Sequence, residues 1–252
     1  MKIAVVTGAT SGMGREAVIQ LADRFGGLDE IWVVGRRRER MERLAKEVPV
    51  PLRIFALDLN RKESLGELRA AFTKVQPEVK LLVNAAGYGK IGPFGSVDQE
   101  EETGMVRINC EALISVTHLV LPFMSANSRI LQFASAASFV PQPDFAVYAA
   151  TKAFVLSFSR ALNAELASRK ICVTAVCPGP VKTEFFDIAE KTGKIPLYKR
   201  LAMADPKKVV KLALRDSMMG KSVSVYGIWM KLFYGACKVL PHNLILGIMK
   251  TL

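Results

Sequence analysis

Apolar residues along this chain come in two kinds of stretch. Short runs rich in Val, Ile and Leu occupy residues 3–6, 31–34, 52–57, 81–84, 129–133, 171–176 and 223–226 and predict strands. Between them, apolar positions recur every three or four residues. That spacing predicts helices from the turn after the first run to about residue 25, then at 38–47, 63–75, about 100–124, 145–168 and about 205–218. In 38–47, Met41 and Leu44 form the one apolar face of a charged segment. The stretch 100–124 predicts a single long helix with a mostly buried face. Strands apolar throughout, alternating with helices, predict a parallel sheet covered on both sides and linked by right-handed crossovers. The expected architecture is a Rossmann-like doubly wound α/β fold of about seven strands in three α/β/α layers. No repeat, low-complexity tract or linker divides the chain, so residues 1–252 are expected to form one domain.

Composition agrees with a globular chain. Of 252 residues, 50% are hydrophobic and 23% charged, enough to bury a core without disulfides or metal. The net charge of +12 points to a basic surface or a site for anionic ligands. No nucleic-acid partner is expected, because no helix-turn-helix, zinc or RRM signature is present. Cys110, Cys172, Cys177 and Cys237 form no C-x-x-C pair, and His118 and His242 lie far from any ligand pattern, so no metal site is expected. The first strand starts too early to leave room for a signal peptide, and no unbroken apolar stretch reaches the ~18 residues that span a bilayer. A cytoplasmic location is the expectation.

The turn after the first strand reads Thr7-Gly8-Ala9-Thr10-Ser11-Gly12-Met13-Gly14. Gly8 permits a tight turn, Gly12 lets the backbone approach a pyrophosphate, and Gly14 lets the helix pack on the strand. Free N–H groups at the helix start favour an anion. Strand, glycine turn and helix in that order are what a dinucleotide site requires. An NAD site usually has an acid at the end of the second strand. Here Gly35-Arg36-Arg37-Arg38 stands there, with Arg36 placed to pair with a 2′-phosphate, Arg37 a second candidate, and Arg38 read as a solvated charge. NADP(H) is the expected cofactor.

Tyr148 and Lys152 are four residues apart on one helix face. A free tyrosine titrates near pKa ~10, and a neighbouring ammonium lowers that value, which makes an acid–base pair. Ser135 ends the fifth strand, where a hydroxyl can hold a carbonyl oxygen; Ser138 is the nearby alternative.

Taken together, Thr7-Gly8-x-x-x-Gly12-x-Gly14, Asp58-Leu59, Asn84-Ala85-Ala86-Gly87, Asn109, Ser135, Tyr148-x-x-x-Lys152 and Pro178-Gly179-Pro180-Val181-x-Thr183 resemble the classical short-chain dehydrogenases/reductases over nearly the whole chain. The resemblance implies roles. Tyr148 exchanges the proton, Lys152 binds the nicotinamide ribose and lowers the Tyr148 pKa, and Ser135 orients the carbonyl. Asn109 holds a relay water. Gly8, Thr10, Ser11, Gly12, Met13 and Gly14 hold the pyrophosphate side, with Arg36 and Arg37 at the 2′-phosphate. Asp58 and Leu59 border the adenine, and Asn84, Ala85 and Gly87 line the adenosine side. Pro178, Gly179, Val181 and Thr183 contact the nicotinamide.

The implied activity is interconversion of a ketone and a secondary alcohol with NADP(H). Residues 184–204 correspond to the substrate lid. Phe185, Phe186, Ile188, Ile195, Leu197 and Tyr198 suggest a hydrophobic substrate such as a hydroxysteroid or ketosteroid, although these residues would equally serve to pack the lid on its own domain. A 3-ketoacyl thioester reductase and a non-catalytic NADP-binding or membrane-surface protein stay open. The tail, 227–252, is apolar with scattered lysines and departs from the family pattern. A cover over the pocket, a contact in a homo-oligomer (dimer or tetramer) and a peripheral membrane helix are its three readings.

Overall fold

The computed structural model describes residues 1–61, 63–190 and 203–250, with side chains to residue 247. Seven strands, β1 (Lys2–Thr7), β2 (Glu30–Gly35), β3 (Leu52–Ala56), β4 (Glu78–Asn84), β5 (Met124–Phe133), β6 (Cys172–Val176) and β7 (Val223–Ser224), form one sheet. Every pairing is parallel, in the order β3-β2-β1-β4-β5-β6-β7.

Alternate residues of each strand enter opposite cores, as a pleated strand requires. On one side Ala4, Val6, Ile31, Val33, Leu81 and Val83 pack against α1 (Gly12–Arg24), α2 (Arg38–Glu47) and the helix Pro206–Met218. On the other, Ile3, Val5, Trp32, Val34, Leu82 and Ile130 pack against α3 (Ser64–Val75), α5 (Ala112–Val120) and α6 (Ala146–Glu165). Both faces are dry, which is why the strands carry apolar runs rather than alternation.

The expected long helix is present with one interruption. Its first part, α4 (Gln99–Val106), passes through a π turn at Arg107–Glu111 before α5 begins. The run Gln99–Phe123 is long and apolar enough to cross a bilayer by composition; half of its apolar window is buried inside this protein. β5 starts at Met124, five residues before the expected 129, and β7 is shorter than expected.

After β6 come α7 (Glu184–Ala189) and α8 (Pro206–Met218). Of the expected lid, residues 191–202, with Ile195, Leu197 and Tyr198, lie outside the described residues. The tail folds into α9 (Ile228–Val239) and α10 (His242–Lys250). α9 lies back on the body of the protein: the Tyr234 ring sits 4.6 Å from that of Phe139.

Candidate active site

The sheet reverses its winding between β1 and β4, whose carboxyl ends meet at Thr7 and Asn84. Loops leaving the two strands part there and open a crevice. Gly8 leaves β1 at φ +69°, and a Cβ on it would stand 2.7 Å from the Ala85 backbone. A Cβ on Gly14 would collide with the Gly8 carbonyl oxygen. Only glycine lets these segments touch backbone to backbone. Ser11 makes no side-chain cap to α1, and the first turn of α1 holds no acid. The N–H groups of that turn are therefore available to an anion.

A groove of about 540 Å³ follows. Gly8, Thr10, Ser11, Gly12, Met13, Gly14, Arg36, Arg37, Asp58, Leu59, Ala85 and Gly87 line it, as expected from the sequence. Asn84 does not. It is buried beneath the groove, where its amide donates to Thr117 Oγ1 at 2.9 Å and Gln132 Oε1 at 3.0 Å. Its side chain ties β4 to α5 and β5.

The three arginines diverge. Arg36 lines the groove and makes no ion pair among the described residues. Arg37 donates to Thr10 Oγ1 at 3.0 Å, to Ser11 Oγ at 2.9 Å and to Glu184 at 2.9 Å. Arg40 pairs with the same carboxylate. Hydrogen bonds from Arg40 and then Arg37 hold Glu184 below the usual carboxylate range. Arg38 faces Glu42 at the surface, 3.9 Å away.

Met13, Thr183 and Phe185 also wall a second, apolar cavity of about 460 Å³. Ser135, Tyr148, Pro178, Gly179 and Val181 face it, with Phe145, Met230, Phe233, Leu240 and Ile245. Pro178, Gly179 and Val181 thus lie on this cavity rather than on the nucleotide groove.

Ser135 accepts from the Ala137 N–H at 3.1 Å, and it faces the same cavity as Tyr148. Ser138 donates to the Ser135 carbonyl at 2.5 Å and does not line the cavity, whereas Ser135 does. The Tyr148 ring stacks on Phe145 at 4.2 Å and tilts against Phe185 at 5.3 Å. Burial raises its pKa above the ordinary 10, and the neighbouring Ser135 hydroxyl offsets only part of this. This reverses the direction expected from the sequence, because desolvation of the buried phenol dominates.

Lys152, one turn along α6, donates to the Phe133 carbonyl at 2.7 Å and lies 5.6 Å from the Tyr148 ring centroid. Burial pushes its ammonium down to about 8.

Asn109 sits buried in the π turn. Its Oδ1 accepts from the Tyr88 N–H at 3.1 Å, and its Nδ2 donates to the Tyr88 carbonyl and to Thr151 Oγ1, both at 3.0 Å. These bonds clamp the loop after β4 onto α6. Tyr88 itself, on the groove wall, was not expected; burial pushes its phenol up to about 12. Its one sequence signal was its place beside Gly87. The cavity residues of α9 and α10 had none beyond an apolar tail.

A profile of the short chain dehydrogenase family matches residues 2–193, and the chain belongs to that family. It is an NAD(P)-dependent oxidoreductase acting between an alcohol and a carbonyl compound. It is 36% identical over 193 residues to sulfoacetaldehyde reductase 2 of Chromohalobacter salexigens, covering 73% of this chain and 74% of the relative. A solved short-chain dehydrogenase from Sphingobium yanoikuyae in complex with NADPH superposes with TM-score 0.80 at 25% identity, covering 100% of this chain and 96% of the other. A 3-ketoacyl-(acyl-carrier-protein) reductase from Brucella melitensis complexed with NADH superposes with TM-score 0.74 at 27% identity, over 89% and 95%.

Proposed function

We propose that this chain, acting as one domain, reduces an apolar ketone with NADPH, with Tyr148 as the proton donor. One observation carries the reading. Ser135 and Tyr148 are two hydroxyl residues on the wall of a cavity otherwise lined mainly by carbon, and that cavity shares Met13 and Thr183 with the nucleotide groove.

The groove fits a dinucleotide phosphate. The glycine cradle would be filled by any Cβ at Gly8 or Gly14, and the start of α1 offers N–H donors. Arg36, free of ion pairs among the described residues, suits a 2′-phosphate, with Arg37 beside it. Bound there, the cofactor supplies the hydride.

The chain's own residues handle the proton. Ser135 and Tyr148 hold the carbonyl oxygen between them, and the Tyr148 phenol, kept protonated by burial, donates as charge builds on that oxygen. The Lys152 ammonium, fixed on the Phe133 carbonyl, stabilises the phenolate left behind. Asn109 is a positioning residue, holding Tyr88 and α6 in register.

A ketosteroid or ketone of similar size suits a cavity of about 460 Å³. A 3-ketoacyl thioester is the second reading, favoured by the relative from Brucella melitensis. Exposed Val106, Ile114 and Phe154 on α4, α5 and α6 suit a homo-oligomer contact, which light scattering tests. A turnover screen of ketosteroids, 3-ketoacyl thioesters and simple ketones with NADPH and NADH tests the reading. Preference for a small polar aldehyde, or for NADH, ends it.

A further inference from the structure

We propose that α9 and α10 dock on an anionic lipid surface, and that the apolar cavity receives its ligand from that side. The second half rests on the reading of that cavity as the substrate site.

α9 has two apolar faces. Met230, Phe233 and Cys237 turn inward, and Met230 and Phe233 wall the cavity. Ile228, Leu232 and Val239 fall in line at i, i+4 and i+11 on the outer face, all exposed, with Trp229 beside them at 76% exposure. Leu244 of α10 is exposed as well. A cluster of large apolar side chains at helical spacing marks a contact surface.

Charge decides what it contacts. After Asp216 the sequence holds Lys221, Lys231, Lys238 and Lys250 and no acidic residue. Lys231 and Lys238, seven residues apart, form an exposed row on the flank of the apolar face. A surface at once apolar, cationic and free of carboxylates fits an anionic bilayer, and a tryptophan suits the lipid–water boundary. A two-fold contact between copies would set each lysine row near its own image, with no carboxylate in the segment to offset it.

Leu240 links the surface to the site. It lines the cavity and is still 41% exposed, so it stands on the rim, at the C-terminal end of α9. A ligand leaving the bilayer there passes Leu240 and enters the cavity that Tyr148 lines without crossing bulk water.

The chain has two tryptophans, and Trp32 is fully buried, so a change of environment on binding reports Trp229. The full chain is mixed with vesicles of phosphatidylcholine, with and without phosphatidylglycerol. The phosphatidylglycerol vesicles should carry the protein in flotation and shift its emission to the blue, and high salt should weaken both. The double variant Trp229→Ser, Leu232→Ser should stop floating while binding NADPH as before. It should also lose turnover of a ketone presented within vesicles. No flotation, equal binding to both vesicle types, or a dimer whose Trp229 is already shielded and unmoved by vesicles would each overturn the docking. A protein that floats yet reduces no ketone would instead overturn the substrate reading.

Discussion

Arg37 binds the glycine turn and Glu184 at once, donating to Ser11 Oγ at 2.9 Å and to the carboxylate that opens α7 at 2.9 Å. The carboxylate therefore competes for a guanidinium that faces the nucleotide groove. Glu184→Gln should release Arg37 and Arg40 toward a 2′-phosphate. At the ~0.2–1 kcal/mol of an exposed ion pair, NADPH preference over NADH should rise about 1.4- to fivefold. Titrations of both nucleotides measure it; an unchanged or smaller ratio contradicts the competition.

Tyr148→Phe removes the donated proton and keeps the ring that Phe145 and Phe185 pack against. Reduction should fall by at least ~10²-fold with NADPH affinity intact. Undiminished turnover would take the chemistry away from this residue.

Lys152 titrates at about 8 in the fold against its ordinary 10.5, because burial disfavours its charge. Tyr148 moves upward and keeps its proton over the same range. Reduction should be level below about pH 8 and decline as pH rises through it, since the charge that stabilises the phenolate disappears. Stability takes the opposite slope. Between about 8 and 10.5 the unfolded chain binds the proton and the folded chain does not, so this group's contribution rises with pH across that window. A pH profile of kcat/KM with NADPH checks the first statement. A rate that stays level well above pH 8 contradicts it.

Gly14→Ala places a methyl group against the Gly8 carbonyl. The turn must open, at a cost of ~1–3 kcal/mol in stability, and NADPH binding should be lost. Thermal unfolding and a nucleotide titration read the two effects separately.

Asn84→Ala tests the burial of that side chain. Removing its amide leaves the buried Gln132 Oε1 without its donor, which should cost ~1–3 kcal/mol. Nucleotide affinity should hold, whereas a residue lining the adenosine would show the reverse.

Much of this was legible in the sequence, for a physical reason. A strand buried on both faces must be apolar throughout, so runs such as Ile3 to Val6 announce both the sheet and its two cores. Ser135, Tyr148 and the glycine turn are set at strand ends and helix starts, and the winding of the sheet carries them to one crevice. The early start of β5 was hidden because Ser125, Asn127 and Ser128 are polar and Asn127 takes φ +65°. Arg37 and Glu184 are 147 positions apart, beyond any local pattern. Nor can periodicity tell the inner face of α9 from the outer one when both are apolar.

The π turn at Arg107–Glu111 left no trace in the apolar spacing either, yet it shapes what the helix does. An extra residue in one turn offsets the faces of the two halves. Met105 then packs with Phe145 and Tyr148, while Val116 and Val120 pack with the sheet. The widened turn acts as a swivel that sets the angular phase between catalytic wall and core. One segment can thus be fitted to each independently, with Asn109 as its pin.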